Sequence, residues 1–265
     1  MISSISAQYN LEYQYNLAER LFTAGDYYDA ITEYKRLIFF DSEKKYSYEA
    51  NFKIGQSYKA GAKLDESIKY FSIALQNSNE RELEFNTKIE IIKVNILRRT
   101  TLRAFELLKD LESSFRTTEK RNKITYWKGW TYIFQNEWAL ASIEFQKLDN
   151  CKELINICEF VEGEKYSVLF AKLISYILPG SGQFYTGEYL SGTMSLAWNF
   201  LLGYYSINAF VEERVFDGIV ISNLLWFRFY RGNYQNAEKF AKNKNNKLYN
   251  KQLEYLQKNF IGDKP

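Results

Sequence analysis

The chain has 265 residues, of which 46% are hydrophobic and 25% charged, with a formal net charge of +3; this leaves room for one large or two modest domains. So small a charge does not mark the whole chain for nucleic acid. Histidine is missing altogether, which removes the commonest general base and the usual nitrogen ligand of zinc, copper or iron, and so argues against most hydrolases and metalloenzymes. Two prolines stand against 22 tyrosines and 20 phenylalanines, so long helices with aromatic contacts are expected and the predicted class is all-α.

Residues 1–10 read as an N-terminal tail. No complete signal peptide is present there, yet Ile5-Ser6-Ala7, with Ser4 before it, ends on a small residue as a processed export signal would, so both a remnant and a plain tail stay open. From residue 11 to 150 a pattern repeats. Leu17, Ala18 and Leu21 on a first helix precede a Gly25-Asp26-Tyr27 turn and Ala30, Ile31 and Tyr34 on a second. About 37 residues later come Ile54-Gly55, Tyr58, Ala62, Ser67-Ile68, Phe71 and Ala74, and a further copy holds Gly129, Tyr132, Trp138, Ala141 and Phe145. A weaker copy lies between them, with Ala104, Leu108 and Leu111 in its second helix. Small residues at fixed places let paired helices approach, and one such hairpin cannot bury its own apolar face, so the units must stack.

This pattern resembles the tetratricopeptide repeat, in about four units. Ala18, Gly55 and Gly129 match its small first-helix position, and Ala30, Ser67, Ala104 and Ala141 that of its second helix. The third unit departs from it, with Ile92 at the small position and no turn glycine; the closing proline is absent, Ser42 and Asn79 standing in its place in the first two units. The resemblance implies a concave groove lined by first helices that takes a protein or peptide partner. In that register Tyr15, Glu19, Phe22, Phe52, Gln56, Lys59, Tyr126 and Trp130 face the groove, and the aromatic members are the favoured contacts because rings are enriched at binding hot spots.

Residues 151–165 read as a connecting helix. It carries Cys151 and Cys158, seven apart, which the helical rise puts about 10 Å apart, too far for a disulfide; both are expected to be buried small apolar residues. Residues 166–230 form the apolar third. From Tyr189 to Val211 no formal charge occurs in 23 positions, a helix of about 35 Å, and this is the best spanning candidate. Ser191, Thr193, Ser195, Asn199, Ser206 and Asn208 dilute it and should face neighbouring helices. Val168 to Leu178 and Val215 to Phe227 are shorter flanking segments, so a membrane-embedded hairpin or three-helix module is predicted.

Between the first two of these segments lie Pro179, Gly180, Gly182, Gln183, Phe184, Tyr185 and Gly187. That spacing resembles a small bacterial membrane module found at the C-terminus of repeat proteins and related to the TM2-type helix pair, which implies a membrane location but carries no chemistry over. A phosphate loop is the weaker reading of the same glycines, since no Lys-Ser/Thr ending follows. Residues 231–265 form a basic helix or tail, with Arg231, Lys239, Lys242, Lys244, Lys247, Lys251 and Lys258; a segment of this kind stays on the cytoplasmic side and touches anionic headgroups. With three crossings the repeats then lie in the periplasm of a bacterial inner membrane, and with two in the cytoplasm.

Taken together, these features predict a non-enzymatic membrane-anchored adaptor, with protein or peptide bound by the repeats, lipid by the C-terminal helices, and no cofactor, nucleic acid or small-molecule substrate. The alternative is a wholly soluble helical solenoid with a buried C-terminal hairpin. A third reading is an intramembrane enzyme site built from Lys172, Asp217 and Arg228, ionisable groups that are costly in lipid unless paired or used.

Overall fold

The computed structural model describes residues 10–265 and is helical, with no strand among the described residues. The export-signal expectation on Ser4 to Ala7 lies outside them. Two compact units form, one from the residues up to Cys158 together with Gly262–Pro265, the other from Glu159–Ile261. The division falls inside the expected connecting helix, which runs as Lys152–Glu164.

The first unit is a row of four helical hairpins: α1 Leu11–Ala24 with α2 Tyr27–Phe40, α3 Ser47–Ala60 with α4 Leu64–Gln76, α5 Arg81–Leu97 with α6 Thr101–Ser114, and α7 Thr118–Phe134 with α8 Trp138–Phe145. Asn10 caps α1 by accepting the amide of Tyr13 at 3.0 Å, the side-chain acceptor that an unsatisfied helix N-terminus needs. Each hairpin turns through one left-handed residue: Gly25, Ala62, Arg99 and Asn136 have φ of 87°, 55°, 58° and 66°. They are spaced 37 residues apart each time (62 − 25 = 99 − 62 = 136 − 99 = 37). Only the first is glycine, so the other three turns accept the left-handed strain of a residue with a Cβ.

The same period orders the packing. Ala18 and Tyr34, Gly55 and Phe71, Ile92 and Leu108, and Gly129 and Phe145 are the corresponding pairs, and the six side chains other than the glycines are fully buried. A Cβ on Gly55 would come within 2.7 Å of the Phe71 ring, and one on Gly129 within 2.5 Å of Phe145. Where the second helix brings a large ring, the first must be small. In the third hairpin the volume is traded the other way, Ile92 against the smaller Leu108, so the pair fills the same space without the glycine signature. Ala30, Ser67, Ala104 and Ala141 are all fully buried, and the Ser67 hydroxyl donates to the carbonyl of Gly55 at 2.8 Å, joining the two helices of its hairpin.

The second unit is built from α10 Val168–Ile177, the short α11 Ser181–Tyr185, α12 Tyr189–Val211, α13 Val215–Val220, a π-helical stretch Ile221–Trp226 and the long α14 Phe227–Asn259. The predicted border at residue 230 falls within α14, which continues straight from the apolar segment into the basic one. Its Asn233, Ala237, Ala241 and Asn245, at every fourth position, are buried and pack with α10 and α11. The expected 23-residue helix forms as α12. No helix among the described residues is long and apolar enough to cross a membrane; in α12 the polar residues dilute the apolar ones, and α13 is short. Apart from Leu202, what α12 hides is small or polar: Gly192, Asn199, Gly203, Ser206 and Ala209, while Leu190, Phe200, Tyr204, Ile207 and Val211 are exposed.

Candidate functional site

In the repeat unit, the predicted groove residues fall into three groups. Around α1, the Glu19 carboxylate accepts the Tyr34 hydroxyl at 2.5 Å and pairs with Lys53 of α3 at 3.1 Å. The Lys53 ammonium also sits 4.4 Å from the centre of the Phe22 ring, a cation–π contact that holds the lysine between two predicted residues. Burial first, then the Glu19 carboxylate, raises the Tyr34 phenol well above its ordinary value. Tyr15 stacks on Tyr46 at 5.1 Å, and Phe52 lies between Tyr48 and Phe71 at 5.7 and 5.3 Å. Phe71 is fully buried and the other rings half-buried, and the Phe52–Phe71 contact joins α3 to α4.

A second group centres on Glu90 of α5, whose carboxylate pairs with Lys59 at 3.1 Å and with Lys93 at 2.7 Å. Two ammonium groups and one carboxylate leave one net positive charge. Burial alone would raise the Glu90 carboxyl, but Lys59 and Lys93 outweigh it and hold it below its ordinary value. Burial dominates at Lys59 and lowers it, with Lys93 acting in the same direction against the attraction of Glu90. Lys93 continues the line by lying 4.7 Å from the Trp127 ring centre.

The third group is Tyr126 of α7. Its hydroxyl donates to the main-chain carbonyl of Asp263 at 2.5 Å, so the non-helical segment Gly262–Pro265, which belongs to the first unit, is held on the array by one of the predicted residues. The Asp263 carboxylate adds a favourable field at Lys59. Burial pushes the Tyr126 phenol up to about 12, so it remains a donor at neutral pH. Trp130 differs from expectation: it is 2% exposed and packs near Phe134 with ring centres 6.5 Å apart, which makes it a core residue of the last hairpin. Gln56 is half-buried.

Lys53, Glu90 and Lys93 escaped the sequence reading although the period contains them. Adding 37 to Gln56 gives Lys93, and adding it to Lys53 gives Glu90. The third copy obscured both because its core pair does not look like the others.

In the second unit, the turn motif has a structural account residue by residue. Gly180 is left-handed, with φ of 92°, and a Cβ there would meet the Gly192 carbonyl at 2.3 Å. One on Gly182 would lie 2.2 Å from the Ala171 carbonyl and 2.6 Å from the Ala237 methyl, so α10, α11 and α14 meet at a point that admits no side chain. Asn233 organises the turn. Its Oδ1 accepts the Gly180 amide at 2.8 Å, the Ser195 hydroxyl at 2.9 Å and the Gln183 amide at 3.2 Å, while its Nδ2 donates to the Ser175 carbonyl at 2.7 Å. The Gln183 amide also donates to the Asn233 carbonyl at 3.0 Å, and the Gly182 amide to the Ser175 hydroxyl at 3.0 Å. Phe184 packs where a Gly192 Cβ would stand, 2.7 Å from its ring. Tyr185 lies between Tyr166 and Phe170 and accepts the Ser167 amide at 3.1 Å. Gly187 is left-handed at φ 77°, and Pro179 lines a groove beside α12.

The three ionisable residues of the enzymatic reading have separate surroundings. Lys172 pairs with Glu238 at 2.9 Å and Asp217 with Arg214 at 3.2 Å, whereas Arg228 lines a cavity with Ser191 and Ser195. Cys151 and Cys158 are buried and share no disulfide, and burial raises the Cys151 thiol. No protein-family model matches the chain, and no curated protein matches it.

Proposed function

We propose that the chain is a non-enzymatic adaptor in which a tetratricopeptide-like array takes a protein or peptide partner and the second unit holds it at a membrane. The observation that carries the adaptor half is the segment Gly262–Pro265 lying on the array through Tyr126. A surface that already receives a non-helical stretch of main chain through a phenol donor, with a surplus lysine charge in the neighbouring cluster, suits a peptide that offers main-chain carbonyls and a carboxylate. The division into two units favours this two-part reading over a single continuous solenoid.

The membrane half is supported by which side chains the second unit hides. Its interior is mostly glycine, alanine, serine, threonine, asparagine and glutamine, with Val161, Leu202 and Leu256 as the large apolar members, and the small and polar types are those that let helices meet closely and bond across one another in lipid. Large apolar groups such as Ile177, Leu190 and Phe216, at 86%, 80% and 78% exposure, point away from it. Among the diluting polar residues of α12, half-buried Ser195 bonds Asn233, buried Ser206 meets Ser222 at 2.5 Å, and buried Asn199 donates to the Ser195 carbonyl while its Oδ1 has no hydrogen-bond partner.

Alkaline carbonate extraction of the full chain tests the membrane half. Retention in the pellet until detergent is added is expected; release as a monodisperse detergent-free particle would sink it. For the groove, deleting residues 262–265 should raise the affinity for acid-containing peptides from a random library about tenfold, because a tethered competitor acts at roughly millimolar effective concentration. Equal affinity before and after that deletion would argue against a peptide groove at Tyr126.

A further inference from the structure

Between α12 and α14 lies a cavity of about 650 Å³, a size that holds a headgroup or a small organic molecule. The two helices run antiparallel along it: Ser195 bonds Asn233, the Trp198 and Phe229 rings stack with centres 5.6 Å apart, and Gly203 meets Trp226. The lining therefore changes in order along the helices. Ser191 and Asn236 stand at one end, Trp198, Phe229 and the Arg228 side chain further along, and Leu225 last. Before Leu225 the chain continues apolar and exposed through Leu224, Ile219 and Phe216. Gly232 leaves room in the middle, since a Cβ there would meet nothing within 4 Å.

Arg228 is the charge that this lining leaves open. No carboxylate lines the cavity. Glu188, Glu238 and Asp217 pair with other cations, Lys244, Lys172 and Arg214, so the Arg228 guanidinium has no ion pair among the described residues. The π-helical stretch Ile221–Trp226 ends two residues before it, and such wider turns are frequent at functional sites. An occupant that matches the order of the lining has a hydrogen-bonding head, then a negative group, then an apolar chain. A phosphodiester lipid with a hydroxyl-bearing head has that order, and the guanidinium fork suits its phosphate oxygens. Trp198 beside the cation is the ring type that sits at headgroup level.

The geometry points to this cavity as a binding site for the head of an anionic phospholipid, with its phosphate on Arg228, its hydroxyls toward Ser191 and Asn236, and its chains leaving past Leu225. The inference deepens the membrane half of the adaptor reading and rests on it.

The test uses the full chain in a neutral detergent with dioctanoyl phosphatidylglycerol and dioctanoyl phosphatidylcholine, whose chains are identical. Binding is read as the fraction of protein that keeps one lipid in native mass spectra. Phosphatidylglycerol should bind about fivefold more tightly, the preference that one cation gives near an anionic head. Arg228→Gln should erase that preference, whereas Arg231→Gln, which removes an equal charge from outside the lining, should leave it. Gly232→Leu favours the helix and fills the cavity, so it should weaken phosphatidylglycerol without any change of charge. Excess glycerol phosphate, a head without chains, should not displace the lipid; displacement would assign the site to a soluble phosphate and overturn the inference. So would equal binding of the two lipids to the unaltered chain, or a preference that Arg228→Gln or Gly232→Leu leaves intact. A chain that shows no preference yet stays in the carbonate pellet would lose this site and keep the membrane half.

Discussion

The two units solve helix packing with opposite materials. In the repeats, Trp127, Trp138, Tyr34, Phe71, Phe85 and Phe145 are among the largest fully buried side chains, and glycine stands on the first helix where a ring from the second needs room. In the second unit the small and polar residues make up most of the interior, tied by the hydrogen bonds of Asn233, and the rings are half-buried or exposed. A fold driven by water leaving large apolar surface needs the first arrangement. The second keeps that surface on the outside, so its cohesion must come from close backbone approach and satisfied polar groups.

The largest expected effect attacks the second arrangement. Asn233→Leu keeps the γ-branched shape but strands the Gly180 amide, the Ser175 carbonyl and the Ser195 hydroxyl, while the Gln183 amide keeps its bond to the main-chain carbonyl of residue 233; at about 1–3 kcal/mol for each buried unsatisfied group, the unit should lose upwards of about 3 kcal/mol. Limited proteolysis around residue 180 together with a thermal melt would show it, and an unchanged melt would mean that polar bonds do not hold this unit. In the repeats the comparison is sharpened by exchanging volume. Ile92→Gly should cost about 3–4 kcal/mol through a cavity and a helical glycine, and adding Leu108→Phe should recover roughly 1–2 kcal/mol by restoring the pattern of Gly55 and Phe71. A double-mutant cycle in urea with no coupling would separate those two residues.

The smallest effect concerns Glu90. Its carboxyl is held below the ordinary value in the folded chain, so the stability it contributes is fully present above about pH 4.5 and is lost as pH falls through the lower folded value. Glu90→Gln should therefore flatten the acid limb of the stability curve by about 1 kcal/mol, measured by chemical denaturation between neutral and strongly acidic pH. An unaltered acid limb would show that Lys59 and Lys93 place no useful charge there.

Much of the repeat unit was legible because its signals are local: a small residue, a turn, a ring, then the same again. The third hairpin was hard to read because Ile92 and Leu108 share the volume differently, and the left-handed turn at Arg99 carries no glycine to announce it. Trp130 looked like a groove residue by period alone, yet a Trp on a first helix also serves as filling. Asn233 was invisible for another reason. It stands among lysines, glutamines and asparagines that read as a solvated face, and only the spacing of Asn233, Ala237, Ala241 and Asn245 hints at a buried stripe.

The order in which the chain is made bears on Asn233 as well. The Gly180 amide and the Ser175 carbonyl precede it by 53 and 58 residues, and Tyr166 precedes its own partner Asn245 by 79. At each repeat hairpin, a growing chain can close as soon as the second helix emerges, whereas the Gly180 amide of the Pro179 turn has no Asn233 acceptor until α12 is complete and the first turns of α14 have been synthesised. During that interval α10 and α12 carry their apolar faces with the turn still unlocked, so the nascent protein passes through a stage in which early shielding, by a chaperone or by lipid, decides whether the second unit assembles or aggregates.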